Sequence, residues 1–495
     1  MQLSLIRSHI VARPRFTTLA IWLLVLIGTG GRLLQFWRND SLMLDECALC
    51  LNIGSRDLAG FTHTLGYDQA APLGFLVLQK VAVASAGMND VTTRMVPFIF
   101  GLLTIALVVL LSLRVFKIEE SPSALLLAIG LICLNRSVIE YGAIAKQYSV
   151  ECSITLLLLL ALVECIGPDG DSRGSPFTRT LLILSPMLMW LSYGAVFIVG
   201  GTGVALVGRA VVLRRREVWK LAISYGASAL LMLVPFYLLS MRPASANRTL
   251  AAEWTGSYMP LWPPGAAVSW LYHNFAIVGE MLVHKRLSLI FPLALIAVVG
   301  HAVYSRSWFW IAGLVSILLI LGASAFHSYP FSGRLLLFLI PVFSMILAEA
   351  VSLIERRFHL AAALITATVL IGALAAFSLH GILRHRPIDN ARKAYKEMVS
   401  AMVPGDQLWV SYLATPCFLY YVEQYPLGRD VSVHIMQRDE HPILPRGRNW
   451  LLVMRTPWEP GEGEALLASA QGEGKEKSSF DVELTTARLF AIPGQ

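Results

Sequence analysis

The stretch Ala70-Ala71-Pro72-Leu73-Gly74-Phe75, which opens the apolar run PLGFLVLQKVAVASAG at residues 72–87, decides how this chain folds. A transmembrane helix needs about 20 mostly apolar residues, whereas interfacial or re-entrant segments run to about 10–14. The run falls between the two, so length leaves the matter open and flanking charge decides it. Counted as a crossing, it would move Arg114 and the Arg214-Arg215-Arg216 triplet to the outer side of the membrane. Read as a helix lying in or dipping into the outer face, it leaves them in the cytoplasm, where basic residues beside spans concentrate. The second topology is the consistent one.

Working outward, eleven blocks are long and apolar enough to span: about 16–37, 94–114, 122–139, 149–166, 180–193, 195–212, 218–239, 286–304, 308–326, 335–354 and 360–380. Only Ser192-Tyr193-Gly194 breaks the pair 180–193 and 195–212, which therefore reads as one span or two. The first block continues through Gly30-Gly31-Arg32 to Trp37 without a small-residue cleavage site, so it reads as an anchor. Arg7, Arg13 and Arg15 precede it and place the N-terminus in the cytoplasm. The later clusters, Arg114/Lys117, Arg173/Arg179, Arg209 to Lys220, Arg306 and Arg356/Arg357, fall on the same side, while Arg136 and Lys285-Arg286 fall at outer ends.

Composition agrees. Of 495 residues, 56% are hydrophobic and 15% charged, against about 25% charged in soluble domains. This excludes a soluble enzyme, a disordered chain and a collagen-like one. Six cysteines do not make a disulfide framework. The net charge of +8 is accounted for by topology, so no nucleic-acid partner is expected. The expectation is a polytopic α-helical membrane protein of about eleven spans, residues 1–384, followed by a soluble outer-face α/β domain, residues 385–495. In that tail, 389–402 reads as an amphipathic helix and 407–412, 431–436 and 450–455 as strands. Residues 464–470 read as a helix, and 471–475 as a charged loop.

Unusual residues collect on the outer side. Leu44-Asp45-Glu46 opens a helical stretch reaching about Arg56. Adjacent carboxylates there can supply a general base, with the second orienting it or holding a cation. Alternatively Asp45 caps the helix and Glu46 favours its dipole, which is the commoner use of such a pair. Gly66-Tyr67-Asp68 precedes the interfacial helix, within which Lys80 reads as a snorkelling lysine. Between the third and fourth spans lies Glu140-Tyr141…Lys146-Gln147-Tyr148…Glu151, and Arg334 heads the tenth span from outside. Lys146 and Arg334 break the cytoplasmic bias of the cations. Two cations at the outer mouth of a bundle suit a phosphate, and headgroup snorkelling is the plainer use of either alone. Cys47-x-x-Cys50 lies on a helix without a preceding strand, which argues against a redox motif. A P-loop, a GxGxxG after a strand and a GxSxG elbow are all missing, so neither ATP-driven transport nor serine hydrolysis is supported.

The order of one span, an outer Asp45-Glu46, Asp68 before Ala71-Pro72-Leu73, an interfacial helix and then Arg94 resembles the GT-C membrane glycosyltransferases. It is most similar to the glycosyltransferase family 39-like branch that holds protein O-mannosyltransferases and lipid A aminoarabinose transferases. Tyr141…Lys146-Gln147-Tyr148 is similar to a Tyr-x-x-x-x-Arg-x-Tyr element of that branch, with Lys in place of Arg. Ser332-Gly333-Arg334-Leu335…Pro341 is similar to its Arg-Tyr-x-x-x-x-x-Pro. Leu44 stands where an aromatic is usual, and Ala71 where many members have Pro. The resemblance covers roughly residues 1–355.

It implies inverting transfer of a hexosyl or pentosyl group from a polyprenyl-phosphate donor to a hydroxyl of a glycan, lipid or protein, at the outer face of the inner cell membrane. In that scheme Asp45 and Glu46 are catalytic, and Lys146 and Arg334 bind the donor phosphate. Tyr67, Asp68, Arg94, Tyr141 and Tyr148 shape the substrate site. A divalent metal stays open and no other cofactor is implied. The aromatics Trp254, Tyr258, Trp262, Trp270 and Tyr272 of the 240–285 segment offer surface for a sugar or lipid. The alternatives are a flippase for a lipid-linked sugar, which predicts midplane charges and broken helices, and a ligase moving a whole glycan.

Overall fold

The computed structural model describes residues 14–168, 174–357, 360–384, 390–455, 460–473, 475–482 and 485–492. Arg7, Arg13, Arg173, Asp389 and Gly474 of the sequence reading lie outside these.

Among the described residues, nine helices are long and apolar enough to cross a membrane, from Arg15–Arg38 to Leu360–Ile382. A tenth span is broken: Pro122–Cys133 is followed after a 48° bend by Arg136–Ala143. Asn135 starts the second piece by accepting the Val138 N–H on its side chain (3.1 Å). The carbonyls freed at the break are met by Arg32, which donates to Ile132 O and Cys133 O, and by Ser378, which donates to Leu134 O. Without those donors the break would leave buried carbonyls unpaired in a medium that cannot solvate them. The block at 180–193 forms an α-helix, Pro176–Leu184, running into a 3₁₀ turn, Ser185–Leu191. Neither piece is long enough to count as a candidate span, so the described residues hold nine, or ten with the bent pair, in place of the eleven expected.

The run at 72–87 becomes a helix, Leu73–Ala86, of 14 residues. At about 1.5 Å per residue it is some 21 Å long, too short to cross. Phe75, Leu76 and Gln79 are its buried face. Lys80 departs from the expected snorkelling: its Nζ donates to Ile53 O (2.7 Å) and Gly54 O (3.0 Å). It thereby satisfies carbonyls at the end of the helix Leu44–Ser55, where a cation also complements the dipole.

The C-terminal part is a five-stranded sheet flanked by helices. β1 (Gln407–Val410), β2 (Ser432–Ile435), β3 (Gly447–Met454), β4 (Lys475–Val482) and β5 (Thr485–Ile492) are ordered β2-β1-β3-β5-β4. β1 is parallel to β2 and β3, while β5 is antiparallel to β3 and β4. Side chains alternate along β3 as the pleat requires. Trp450 and Leu452 join a core with helices Ala391–Ala401 and Thr415–Gln424, and Leu451 and Val453 join another with Pro460–Glu473. The first core also takes in Leu42, Cys47, Cys50 and Ala145. The helix Leu44–Ser55 is thus packed between the bundle and the sheet. The charged segment expected as a loop at 471–475 instead ends one helix and begins β4, and the hairpin β4–β5 and the helix Thr415–Gln424 are additions to the sequence reading.

Candidate active site

The helix Leu44–Ser55 starts from Met43 in extended conformation, whose side chain makes no capping bond. The residue that reaches back is Glu46, whose Oε2 accepts the Met43 N–H at 2.9 Å. This half of a capping box relieves Asp45 of the capping work that the sequence allowed it. Asp45 turns the other way. Its Oδ2 accepts Arg334 Nη1 at 2.5 Å and lies 3.8 Å from Lys146 Nζ.

Glu46 also lines the cavity but is bonded within the protein. It is 1% exposed, and Oε1 accepts the Ala145 N–H at 2.6 Å and lies 3.5 Å from Arg94 Nε. Arg94 in turn donates to Asp40 O (2.5 Å) and Ser41 O (3.1 Å). One carboxylate and one guanidinium therefore join three segments: the turn at 40–43, the start of the helix Asp90–Val115, and the loop holding Lys146.

Electrostatics separate the two neighbours. Burial alone would push Asp45 up, but Lys146 and Arg334 outweigh it and hold the carboxyl below its usual value. At Glu46 burial prevails over Arg94 and the two backbone N–H groups, and its pKa is raised. Burial lowers the pKa of Lys146, with Asp45 opposing. Adjacent carboxylates pushed in opposite directions are a signature of divided roles.

The rest of the constellation is built around the two cations. Lys146 Nζ donates to Gln69 Oε1, and Gln69 Nε2 donates to Tyr67 O at 2.9 Å. That clamp holds Tyr67 and Asp68, both in the left-handed region at φ 56° and 52°, a pair of conformations that non-glycine residues keep only under constraint. Arg334 follows Gly333, whose φ of 47° makes the turn into the 3₁₀ segment Gly333–Leu339. Its guanidinium lies 5.8 Å from the Tyr148 ring centre, and Tyr141 meets Tyr148 edge-on at 5.1 Å.

These side chains line one cavity of about 1060 Å³. All nine residues singled out from the sequence reach it: Asp45, Glu46, Tyr67, Asp68, Arg94, Tyr141, Lys146, Tyr148 and Arg334. Asp68 shares the cavity but, among the described residues, forms no ion pair. From the 240–285 segment Trp254 and Tyr258 line it too, whereas Trp262 and Tyr272 are exposed and Trp270 packs at a tilt against Phe331. Sequence reasoning did not reach Gln69, or the wall supplied by the sheet domain through Tyr412, Gln437, Arg438 and Arg455. Gln69 could have been found beside Asp68. The domain wall lies more than 340 residues beyond Gln69 in the sequence and carries no local signal.

Among the described residues, no three His, Cys, Asp or Glu side chains converge as a metal-ligand set. Asp45 is engaged by two cations, and Glu46 by Arg94 and two backbone N–H groups. The arrangement does not fit a divalent ion. It fits an anion that can exchange with Asp45 for Lys146 and Arg334.

No protein-family model and no curated protein matches the chain. Solved structures do. A crystal structure of ArnT from Cupriavidus metallidurans bound to undecaprenyl phosphate superposes with a TM-score of 0.55 at 12% identity, covering 97% of this chain and 99% of that one. Its apo crystal structure gives 0.53 at 11%. The archaeal oligosaccharyltransferase AglB from Archaeoglobus fulgidus, in complex with an inhibitory peptide and a dolichol-phosphate, gives 0.52 at 14% identity, with 82% of this chain matched to 63% of that chain. From membrane helices to C-terminal sheet, this chain shares the fold of these ArnT and AglB structures.

Proposed function

We propose that this protein transfers a sugar from a polyprenyl-phosphate donor to an acceptor hydroxyl, with inversion, on the outer face of a cell membrane. The N-terminus is then cytoplasmic, residues 1–384 are the membrane enzyme, and residues 385–495 form an outer-face domain that helps to enclose the acceptor. The observation that carries this reading is the Asp45 carboxylate held between Arg334 and Lys146 in a cavity at the mouths of the spans. The presence of a polyprenyl or dolichyl phosphate in two structures of the same fold supports it.

The chemistry follows from the charges. The donor phosphate takes up Lys146 and Arg334, which now bond Asp45, and both cations stabilise the charge that grows on the leaving phosphate. Released from them, Asp45 becomes more basic and accepts the proton of the acceptor hydroxyl. The acceptor oxygen bonds to the anomeric carbon as the carbon–phosphate oxygen bond breaks. One such displacement inverts the centre. Glu46 and Arg94 are positioning residues that fix the loop of Lys146 against the helix of Asp45. Tyr67, Asp68, Tyr141 and Tyr148 wall the sugar and acceptor.

The test is transfer of radiolabelled sugar from a decaprenyl-phosphate donor to an envelope extract by the full chain in liposomes. Transfer by wild type and its loss in Asp45→Asn are expected. Equal rates for the two would overturn the assignment. Mass spectrometry of envelope glycans from a deletion strain then names sugar and acceptor.

A further inference from the structure

The cavity has a second acidic pole that the scheme above leaves unused. The helix Tyr148–Ile166 begins at the loop of Lys146, and Glu151 lies three residues beyond Tyr148 on the same face. That places it about 4.5 Å further along the helix axis. Glu151 lines the cavity yet is only 2% exposed. Its Oε1 accepts the Tyr193 N–H at 3.3 Å, and among the described residues it forms no ion pair. Around it stand rings: Tyr148, Tyr193 and Tyr329 all line the same cavity. The Tyr193 hydroxyl is committed elsewhere, donating to Ala71 O at 2.9 Å, so it fixes that wall against the Ala71-Pro72 turn.

A carboxylate without a counter-charge at membrane depth is costly, and such groups mark sites of function. Asp45 and Glu151 make the contrast plain. The first has two cations and reads as part of an anion site; the second has one long backbone bond and free acceptor capacity. Aromatic faces beside a hydrogen-bond acceptor are what a sugar ring needs: its C–H face packs on the rings while its polar substituents bond the acceptor.

We infer that Glu151 reads the transferred sugar, its carboxyl group hydrogen-bonding a hydroxyl or amino substituent in a tyrosine-walled subsite one helical turn from Tyr148. This rests on the proposed donor and adds its specificity. The phosphate end of the donor is held by Lys146 and Arg334, and the sugar end by Glu151. A hydrogen bond made by a buried carboxyl group carries about twofold to tenfold in affinity, and more where an amino substituent draws off its proton.

The experiment measures binding to the full chain in nanodiscs of decaprenyl phosphate alone and of its mannosyl, arabinosyl and 4-amino-arabinosyl forms. Wild type is expected to bind at least one sugar form about tenfold tighter than the bare lipid phosphate. Glu151→Ala should abolish that preference and leave the bare lipid phosphate within twofold. Glu151→Gln keeps the side-chain volume and one neutral acceptor, so it should lose part of the preference, and most of it where the substituent is the amine. The inference is overturned if neither variant changes the ratio, if both ligands weaken equally, or if wild type prefers no sugar form. Failure of wild type to bind decaprenyl phosphate, or binding unaffected by Lys146→Ala, overturns the proposed donor and this inference together.

Discussion

The helix Leu44–Ser55 has two faces that are held in different ways. Toward the cavity it presents Asp45, 18% exposed at the side chain and bound by ionic contacts to Arg334 and Lys146. Toward the sheet domain it presents Cys47 and Cys50, wholly buried in a core shared with Cys417, Phe418 and Tyr421. Ionic contacts can be exchanged for those of an incoming anion at little net change in charge, whereas apolar packing has no such substitute. The helix can therefore trade partners on one face without shifting on the other. That division yields separable effects of mutation.

Asp45→Asn should show the largest. It keeps the shape of the side chain and the back of the helix untouched and gives up only the ion pairs with Arg334 and Lys146, so thermal unfolding should move less than in Glu46→Ala while sugar transfer falls by about 10²–10⁴-fold, the usual contribution of a general base. A fall in transfer matched by an equal loss of folded protein would erase the distinction between the faces. Glu46→Ala should do the reverse. It strands Arg94 and the backbone N–H groups of Met43 and Ala145. Removing one partner of a buried pair costs about 3–5 kcal/mol of stability. The melting temperature in detergent should drop markedly, and in the residual folded protein the donor KM should rise less than in Lys146→Ala, because the loop of Lys146 loses its tie through Ala145 but keeps the cation itself.

Lys146→Ala and Arg334→Ala come next, each expected to raise the donor KM about tenfold to hundredfold, the range for charge-assisted bonds. Arg334→Lys should recover only part of this, because a lysine cannot present the planar fork. The same substitutions sharpen the pH behaviour. Asp45 is held below the usual carboxylate value of about 3.9 by these cations. The stability its ion pairs give is present above the unfolded value and is lost as pH falls through the lower folded value. In kcat/KM, which reports the free enzyme, the acid limb should lie below the usual carboxylate range. It should rise in Lys146→Ala or Arg334→Ala, and in kcat it should rise for wild type, since bound donor occupies the cations. An acid limb indifferent to both substitutions would separate Asp45 from the chemistry.

Much of the membrane part was legible because long apolar runs bounded by Arg and Lys have few other readings. The short helix at 72–87 was placed by the charge balance of spans over a hundred residues away, not by its own composition. Local readings failed where a side chain serves a distant partner. Lys80 looks like a snorkelling lysine until Ile53 and Gly54 are beside it, and Asp45 looks like a cap until Glu46 is seen to do the capping. β4 was missed for a related reason. The reading of a charged loop at 471–475 reaches into its first residue, and the polar Glu476-Lys477-Ser478-Ser479 that follows carries no strand signal, yet this is the edge of a sheet, where charge guards against further pairing. Only Phe480, stacked at 5.9 Å on Trp450, betrays the strand from within. The nine site residues were individually ambiguous, and what the sequence could not supply was their convergence on one cavity.

The smallest expected effect concerns the seam itself. The Tyr421 hydroxyl accepts the Leu42 N–H at 2.9 Å, lies 3.1 Å from Ser41 Oγ and donates to Asp90 Oδ2 at 3.2 Å. Arg392 completes the joint, donating to Asp90 Oδ2 at 2.8 Å and to Asn39 O at 2.5 Å. The sheet domain is thus fastened to the turn that precedes Asp45, beside the Ser41 carbonyl that Arg94 grips from the other side. Tyr421→Phe keeps the ring in its core and deletes only the hydroxyl. It should cost about 1 kcal/mol, the net value of a hydrogen bond, with some addition for the Leu42 N–H left unpaired. A shift of a few degrees in melting with transfer within about twofold is expected. A large loss of transfer at unchanged stability would mean that the seam, and not the cavity face alone, sets the position of Asp45.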